Sequence, residues 1–224
     1  MSTTGTRMPV VALVSGRGSN LRAIAERARA GDPPIEIRAV VSDREDAAAL
    51  EWARAFGLNC ATLAPKNFPD RERYDAALAA LVASFEPELV ILAGFMRILG
   101  PVFVDRFAGR TLNIHPSLLP RHRGLHTHRR VLEAGEREHG ASVHFVTREL
   151  DGGPVVIQAK VPVRDDDDEA SLAARVLEQE HRIYPQAVGW FATGRLRVTD
   201  GKAWLDGRRL DEPMVLEPAD AGTT

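Results

Sequence analysis

Apolar runs rich in Val, Ile and Leu, set apart by helical stretches, constrain the fold of this chain more than any other feature. The runs are Val10-Val11-Ala12-Leu13-Val14, Ile35 to Val41 and Leu89-Val90-Ile91-Leu92-Ala93, with a short third strand, less apolar, over Asn59 to Leu63. Between them the spacing predicts helices over about Asn20–Ala30, Asp46–Phe56 and Asp70–Phe85. Strands of this kind, each followed by a helix, belong to a parallel sheet covered on both faces.

After Pro101 the pattern changes. A strand over Arg110–His115 is followed by a loop rich in Pro, Arg and His, then by a helix near Thr127–Ala134. Long strands follow over Ala141–Thr147 and Pro154–Val163, with a helix over Glu169–Phe191. Leu196-Arg197-Val198 and Ala203-Trp204-Leu205, around Asp200-Gly201, read as a hairpin. The expectation is an α/β fold: a single Rossmann-like open twisted sheet, mostly parallel, antiparallel in its C-terminal half, with helices on both faces. No Ser/Gly linker or repeat divides the sequence, so one domain over residues 9–212 is expected, with residues 1–8 and 213–224 as flexible tails.

Asn113-Ile114-His115-Pro116-Ser117-Leu118-Leu119-Pro120 carries the clearest chemistry. Alternate strand residues share a face, so Leu112 and Ile114 can enter a core while Asn113 and His115 point together the other way. Their Cα atoms lie roughly 6.5 Å apart. An oxygen between them could accept an amide N–H from Asn113 and an imidazolium N–H from His115, which makes an oxyanion site with its own proton carrier. Alone, such a pair is more often a turn and a cap. Asp151 adds weight, because Leu150-Asp151-Gly152-Gly153-Pro154 follows the strand Ala141–Val146, and a carboxylate beside an imidazole fixes its tautomer.

Gly16-Arg17-Gly18-Ser19-Asn20 lies where the first strand turns into a helix. Amides at such a helix start bind anions, and glycine lets the ligand approach. Leu21 stands where a dinucleotide fingerprint needs Gly or Ala, and no Lys follows as in a triphosphate loop. A single phosphomonoester, held by the Gly18–Asn20 amides and the Ser19 hydroxyl, fits better; a plain capped turn is the alternative. Asp43 reads as a helix cap rather than a ribose-binding acid. The run Asp165–Asp168 reads as negative charge supplied to a helix N-terminus. Leu92 to Leu99 could wall a flat aromatic ligand or simply be core.

Other chemistries find little support. The net charge of −2 announces neither nucleic acid nor an anionic membrane. The single cysteine, Cys60, makes no internal disulfide and suits a reducing cytoplasm. No apolar run approaches the ~18 residues of a membrane span. The seven histidines show no metal-ligand spacing, so no metal is expected. Ser117 sits in no nucleophile elbow and reads as a turn residue.

Taken together, Gly16 to Asn20, Ala93-Gly94-Phe95-Met96-Arg97-Ile98-Leu99, Asn113 to Pro120, His139 to Val146 and Leu150 to Pro154 resemble the phosphoribosylglycinamide formyltransferase family. The likeness runs in order from about Val10 to Leu210 and takes in Gln179-Glu180-His181 and Trp204-Leu205-Asp206-Gly207. The resemblance implies transfer of a formyl group from 10-formyltetrahydrofolate, as co-substrate, to the glycine amine of glycinamide ribonucleotide in purine biosynthesis. It implies Asn113, His115 and Asp151 as the catalytic trio. Gly18, Ser19 and Asn20 would hold the ribonucleotide phosphate, and Glu180 its ribose. Met96, Arg97, Ile98 and Leu99, with the loop from Thr147 to Asp151, would cradle the pterin beside Asn113, and Arg71 would lie near the folate tail. The loop Arg121-His122-Arg123-Gly124 is a candidate to order when folate binds. Small-molecule substrates are the expected partners, with the chain a monomer or homodimer. Two rivals share the chemistry: a formyltetrahydrofolate hydrolase, with an extra domain in front, and a methionyl-tRNA formyltransferase, with one behind. The short stretches outside the likeness favour neither.

Overall fold

In the computed structural model, which describes residues 7–216, the apolar runs do form strands. The first half reads β1 (Met8–Val14), α1 (Ser19–Arg29), β2 (Ile35–Ser42), α2 (Ala48–Ala55), β3 (Cys60–Thr62), α3 (Arg71–Ser84) and β4 (Leu89–Leu92). The second half reads α4 (Pro101–Arg106), β5 (Thr111–His115), α5 (Thr127–Glu133), β6 (Glu138–Phe145), β7 (Val155–Pro162) and α6 (Glu169–Ala192). Four short strands close the described chain: β8 (Leu196–Thr199), β9 (Lys202–Leu205), β10 (Arg208–Arg209) and β11 (Met214–Leu216).

An eight-stranded sheet runs in the order β11-β7-β6-β5-β4-β1-β2-β3. Strands β3, β2, β1, β4 and β5 are mutually parallel, and β6 is antiparallel to both β5 and β7. Every residue from Val10 to Val14 is fully buried, as expected of a strand with apolar layers on both faces. One layer packs Leu21, Ile24, Leu50, Ile183, Tyr184 and Val188 against the sheet, and the other packs Tyr74, Leu78, Val82, Phe103 and Phe107. Each large side chain fully buried this way stabilises the fold by about 1.5–3 kcal/mol.

Several expectations need correction. Met8 is buried within β1, and Met214–Leu216 pairs in parallel with β7 at the sheet edge. The expected tails therefore overlap structured residues at both ends, Met8 in an interior strand and Met214–Leu216 at the edge. The remainder of the expected tails, residues 1–6 and 217–224, lies outside the described residues. The hairpin β8–β9 does not continue the main sheet but forms a second, three-stranded sheet with β10. The short helix α4, with Pro101 in its first turn, was not anticipated. Asp43 caps nothing: α2 starts after Ala47, without a side-chain cap. Asp168 does cap α6, in a reciprocal box with Ser171.

Candidate active site

Strand β1 feeds α1 and β2 on one side, while the chain returns through α3 to β4 on its other side. This reversal opens a crevice at the carboxyl ends of β1 and β4, where open α/β sheets bind ligands. Two hydrogen bonds tie the loops that flank it: Ser15 N–H to Gly94 O at 3.1 Å, and Met96 N–H to Ser15 Oγ at 2.9 Å.

On the β1 side, Gly18 turns the chain with φ 72°, and a Cβ there would come within 2.5 Å of the Ala49 Cβ. Only glycine meets both demands. No side chain caps α1, which leaves its first amides for an anion. Ser19 opens onto a shallow cleft with Arg17, Arg22 and His181. Asn20 is turned inward instead: it is 7% exposed, and its Nδ2–H donates to Glu180 Oε2 at 2.6 Å. Burial pushes the Glu180 carboxyl up to about 7, against the opposing Asn20 hydrogen bond. Next to Glu180 on α6, the Tyr184 hydroxyl lies 2.9 Å from Leu112 O and 3.1 Å from Leu92 O. It pins α6 beneath the ends of β4 and β5.

The second wall comes from β5, β6 and the loop after β6. Asn113 and His115 project from one face of β5, as alternation demands. Gly153 lets the returning chain pass so close to β6 that a Cβ there would sit 1.8 Å from Phe145 O. This tight return carries Asp151 to His115, with Oδ2 3.6 Å from Nδ1. Both side chains are only 8% exposed. His115 Nε2 donates to His122 O at 3.0 Å, since a backbone oxygen can only accept. Both ring nitrogens thus face acceptors. Asp151 Oδ2 also accepts the Gly124 N–H at 2.9 Å.

Sequence reasoning missed His144. It sits directly opposite Asn113 on β6. Its Nδ1 donates to Phe145 O at 3.0 Å, leaving Nε2 to accept the Asn113 Nδ2–H at 3.1 Å. Nε2 also lies 3.7 Å from Asp151 Oδ1. Burial holds the His144 ring down at about 4, so it stays neutral. The polar alternation Ser142, His144 was the available signal; its partner depended on register.

A cleft between the β4 and β6 loops is lined by Leu92, Phe95, Arg97, Ile98, Leu99, Asn113, His144, Val146, Thr147 and Asp151, among others. Of the expected folate-binding residues it gathers Arg97, Ile98, Leu99, Asn113, Thr147 and Asp151. Arg71 is not on that wall; it lines the adjoining cleft with Ile98, Leu99 and Arg148 and donates to Ile98 O at 2.7 Å. Met96 is also absent from the wall and stands 70% exposed, with its backbone amide held by Ser15 Oγ. His115 lies outside the lining, with its two nitrogens turned to Asp151 and His122 O, so the structure does not present it as the second oxyanion donor expected beside Asn113. The Arg121–Gly124 loop is already bonded to the trio in this structure. Among the described residues no cluster of His, Cys, Asp or Glu could hold a metal ion, and no helix is long and apolar enough to cross a membrane.

The formyl transferase family model matches residues 8–188. Phosphoribosylglycinamide formyltransferase of Escherichia coli is 54% identical over 203 residues, 91% of this chain and 96% of that protein. The solved phosphoribosylglycinamide formyltransferase of Coxiella burnetii superposes with a TM-score of 0.90 at 43% identity, covering 93% of this chain and 99% of that one. A formyltetrahydrofolate deformylase from Pseudomonas syringae shares the fold at a TM-score of 0.83 and 24% identity, with 90% of this chain matched to 67% of its own.

Proposed function

The chain belongs to the formyl transferase family, and we propose that Asn113, His115 and Asp151 perform its reaction while the Gly18 loop and the Arg97–Leu99 cleft seat its two substrates. It is a phosphoribosylglycinamide formyltransferase by kinship over nearly its whole length. It moves a formyl group from 10-formyltetrahydrofolate to the glycine amine of 5'-phosphoribosylglycinamide in purine biosynthesis, in the cytoplasm. The observation that carries the reading is convergence: Asn113 and Asp151 line one cleft with apolar side chains, His115 backs Asp151, and the amides that start α1 carry no side-chain cap.

The cleft fits a flat heterocycle, with Leu92, Phe95, Ile98, Leu99 and Val146 on its walls and Asn113 and Asp151 as its polar edge. When bound, the folate supplies the formyl carbon. Asn113 spends one Nδ2 hydrogen on His144 and keeps the other for the formyl oxygen, where negative charge grows as the amine attacks. A donor of this kind lowers a barrier by about 3–4 kcal/mol. Asp151 takes the proton that the amine sheds and returns it to the departing folate nitrogen, with His115 holding the carboxylate in place and sharing the proton. Such positioned transfer contributes roughly 10²–10⁴-fold. At the other end, the α1 amides and Ser19 hold the phosphate, and Glu180 is poised for the ribose. No residue forms a covalent bond to substrate and no metal takes part.

The test is an absorbance assay of folate deformylation with and without glycinamide ribonucleotide. Turnover that needs the ribonucleotide is expected. Equal turnover in its absence would favour the hydrolase reading instead.

A further inference from the structure

We infer that Glu136 and His122 are positioning residues for this reaction: Glu136 clamps the His122 ring, and the clamp aims the His122 carbonyl at His115. The inference rests on the assignment of His115 and Asp151 above. Glu136 lies in the turn between α5 and β6, away from the cleft. Its Oε1 accepts His122 Nε2–H at 2.6 Å, and its Oε2 accepts Arg121 Nη1–H at 2.9 Å. His122 adopts φ 53°, a left-handed conformation that side-chain-bearing residues visit sparsely and that needs outside support.

That support is directional. With the ring pinned by Glu136, the His122 carbonyl turns to accept from His115 Nε2 at 3.0 Å. The carbonyls on either side are fixed by other donors: Ser117 Oγ holds Arg121 O at 2.7 Å, and Arg130 Nη1 holds Arg123 O at 2.7 Å. The next amide, Gly124 N–H, donates to Asp151. One four-residue loop therefore grips both members of the His115–Asp151 pair. It fixes the hydrogen on Nε2 and turns Nδ1 toward the carboxylate. Glu136 lines none of the clefts assigned to the substrates, so its contribution must travel through this loop.

The test compares Glu136→Ala, Glu136→Gln and His122→Asn, reading kcat, both KM values and the imidazole nitrogen resonances of His115, which His115→Asn assigns. Glu136→Ala should lower kcat about tenfold or more, as small misplacements of reacting groups do, with KM values little changed and the His115 Nε2 resonance displaced. Glu136→Gln, which can still accept from His122, should restore most of kcat. His122→Asn tolerates the left-handed backbone but falls short of Glu136, and should reproduce the alanine result even if Glu136→Ala fails to fold. Unmoved His115 resonances, or displaced resonances with undiminished kcat, would overturn the inference. Full activity in His115→Asn would instead strike the catalytic assignment, and the resonances would still report whether the clamp exists.

Discussion

Asn113 and His144 face each other across the β5–β6 ladder, and the Asn113 amide donates to the His144 ring at 3.1 Å. Because His144 Nδ1 is spent on Phe145 O, the bond runs one way only. The Asn113 amide cannot flip without placing two acceptors together. Replacing His144 by Leu should therefore lower kcat by one to two orders of magnitude, about 1.4–2.8 kcal/mol of barrier, with ribonucleotide KM little changed. Steady-state kinetics on the folded variant check this; an unchanged kcat would show that Asn113 needs no such anchor.

Asp151→Asn keeps the size of the side chain and its acceptor for the Gly124 amide, but loses the carboxylate proposed as the base. The variant should fold with near-native Tm and lose roughly 10²–10⁴-fold in kcat. Near-normal turnover in purified protein would refute the role.

Gly18→Ala should raise the ribonucleotide KM more than it changes kcat, since φ 72° and the 2.5 Å approach to Ala49 both oppose a side chain. Ser19→Ala should act the same way, more weakly. Binding titrations with the ribonucleotide read this directly, and an unaltered affinity in both variants would count against the phosphate site.

Stability should respond to pH in two opposed ways. His144 and His139 are held by burial at about 4 and about 3. The unfolded chain therefore takes up protons first, and their contribution is lost as pH falls below the ordinary value near 6.5. Glu180, raised to about 7, works in reverse. Its contribution is complete below the ordinary carboxyl value near 4.5 and is lost as pH climbs to about 7. Glu180→Gln should thus gain Tm relative to the parent between pH 4.5 and 7, and also raise ribonucleotide KM. A Tm difference independent of pH would show that Glu180 does not titrate in that window.

The alternation of apolar runs and helices, the Gly18 turn, and the shared face of Asn113 and His115 were all legible in the order of residues. Each depends on local rules: strand periodicity, helix starts, and side chains that share a face. The sequence could also name Gly153 as part of a turn, though not the close strand passage that excludes any larger residue there. What it could not supply was register and topology. Opposing Asn113 to His144, burying Glu180 against Asn20, and threading Asp151 between a loop amide and two imidazoles all join residues far apart in the chain. The 214–216 strand and the Glu136–His122 clamp likewise exist only because tertiary packing brings distant backbone and charge together. Local propensity fixes which face a residue takes along its own strand; what lies opposite that face is set by how the whole sheet satisfies its hydrogen bonds and fills its core.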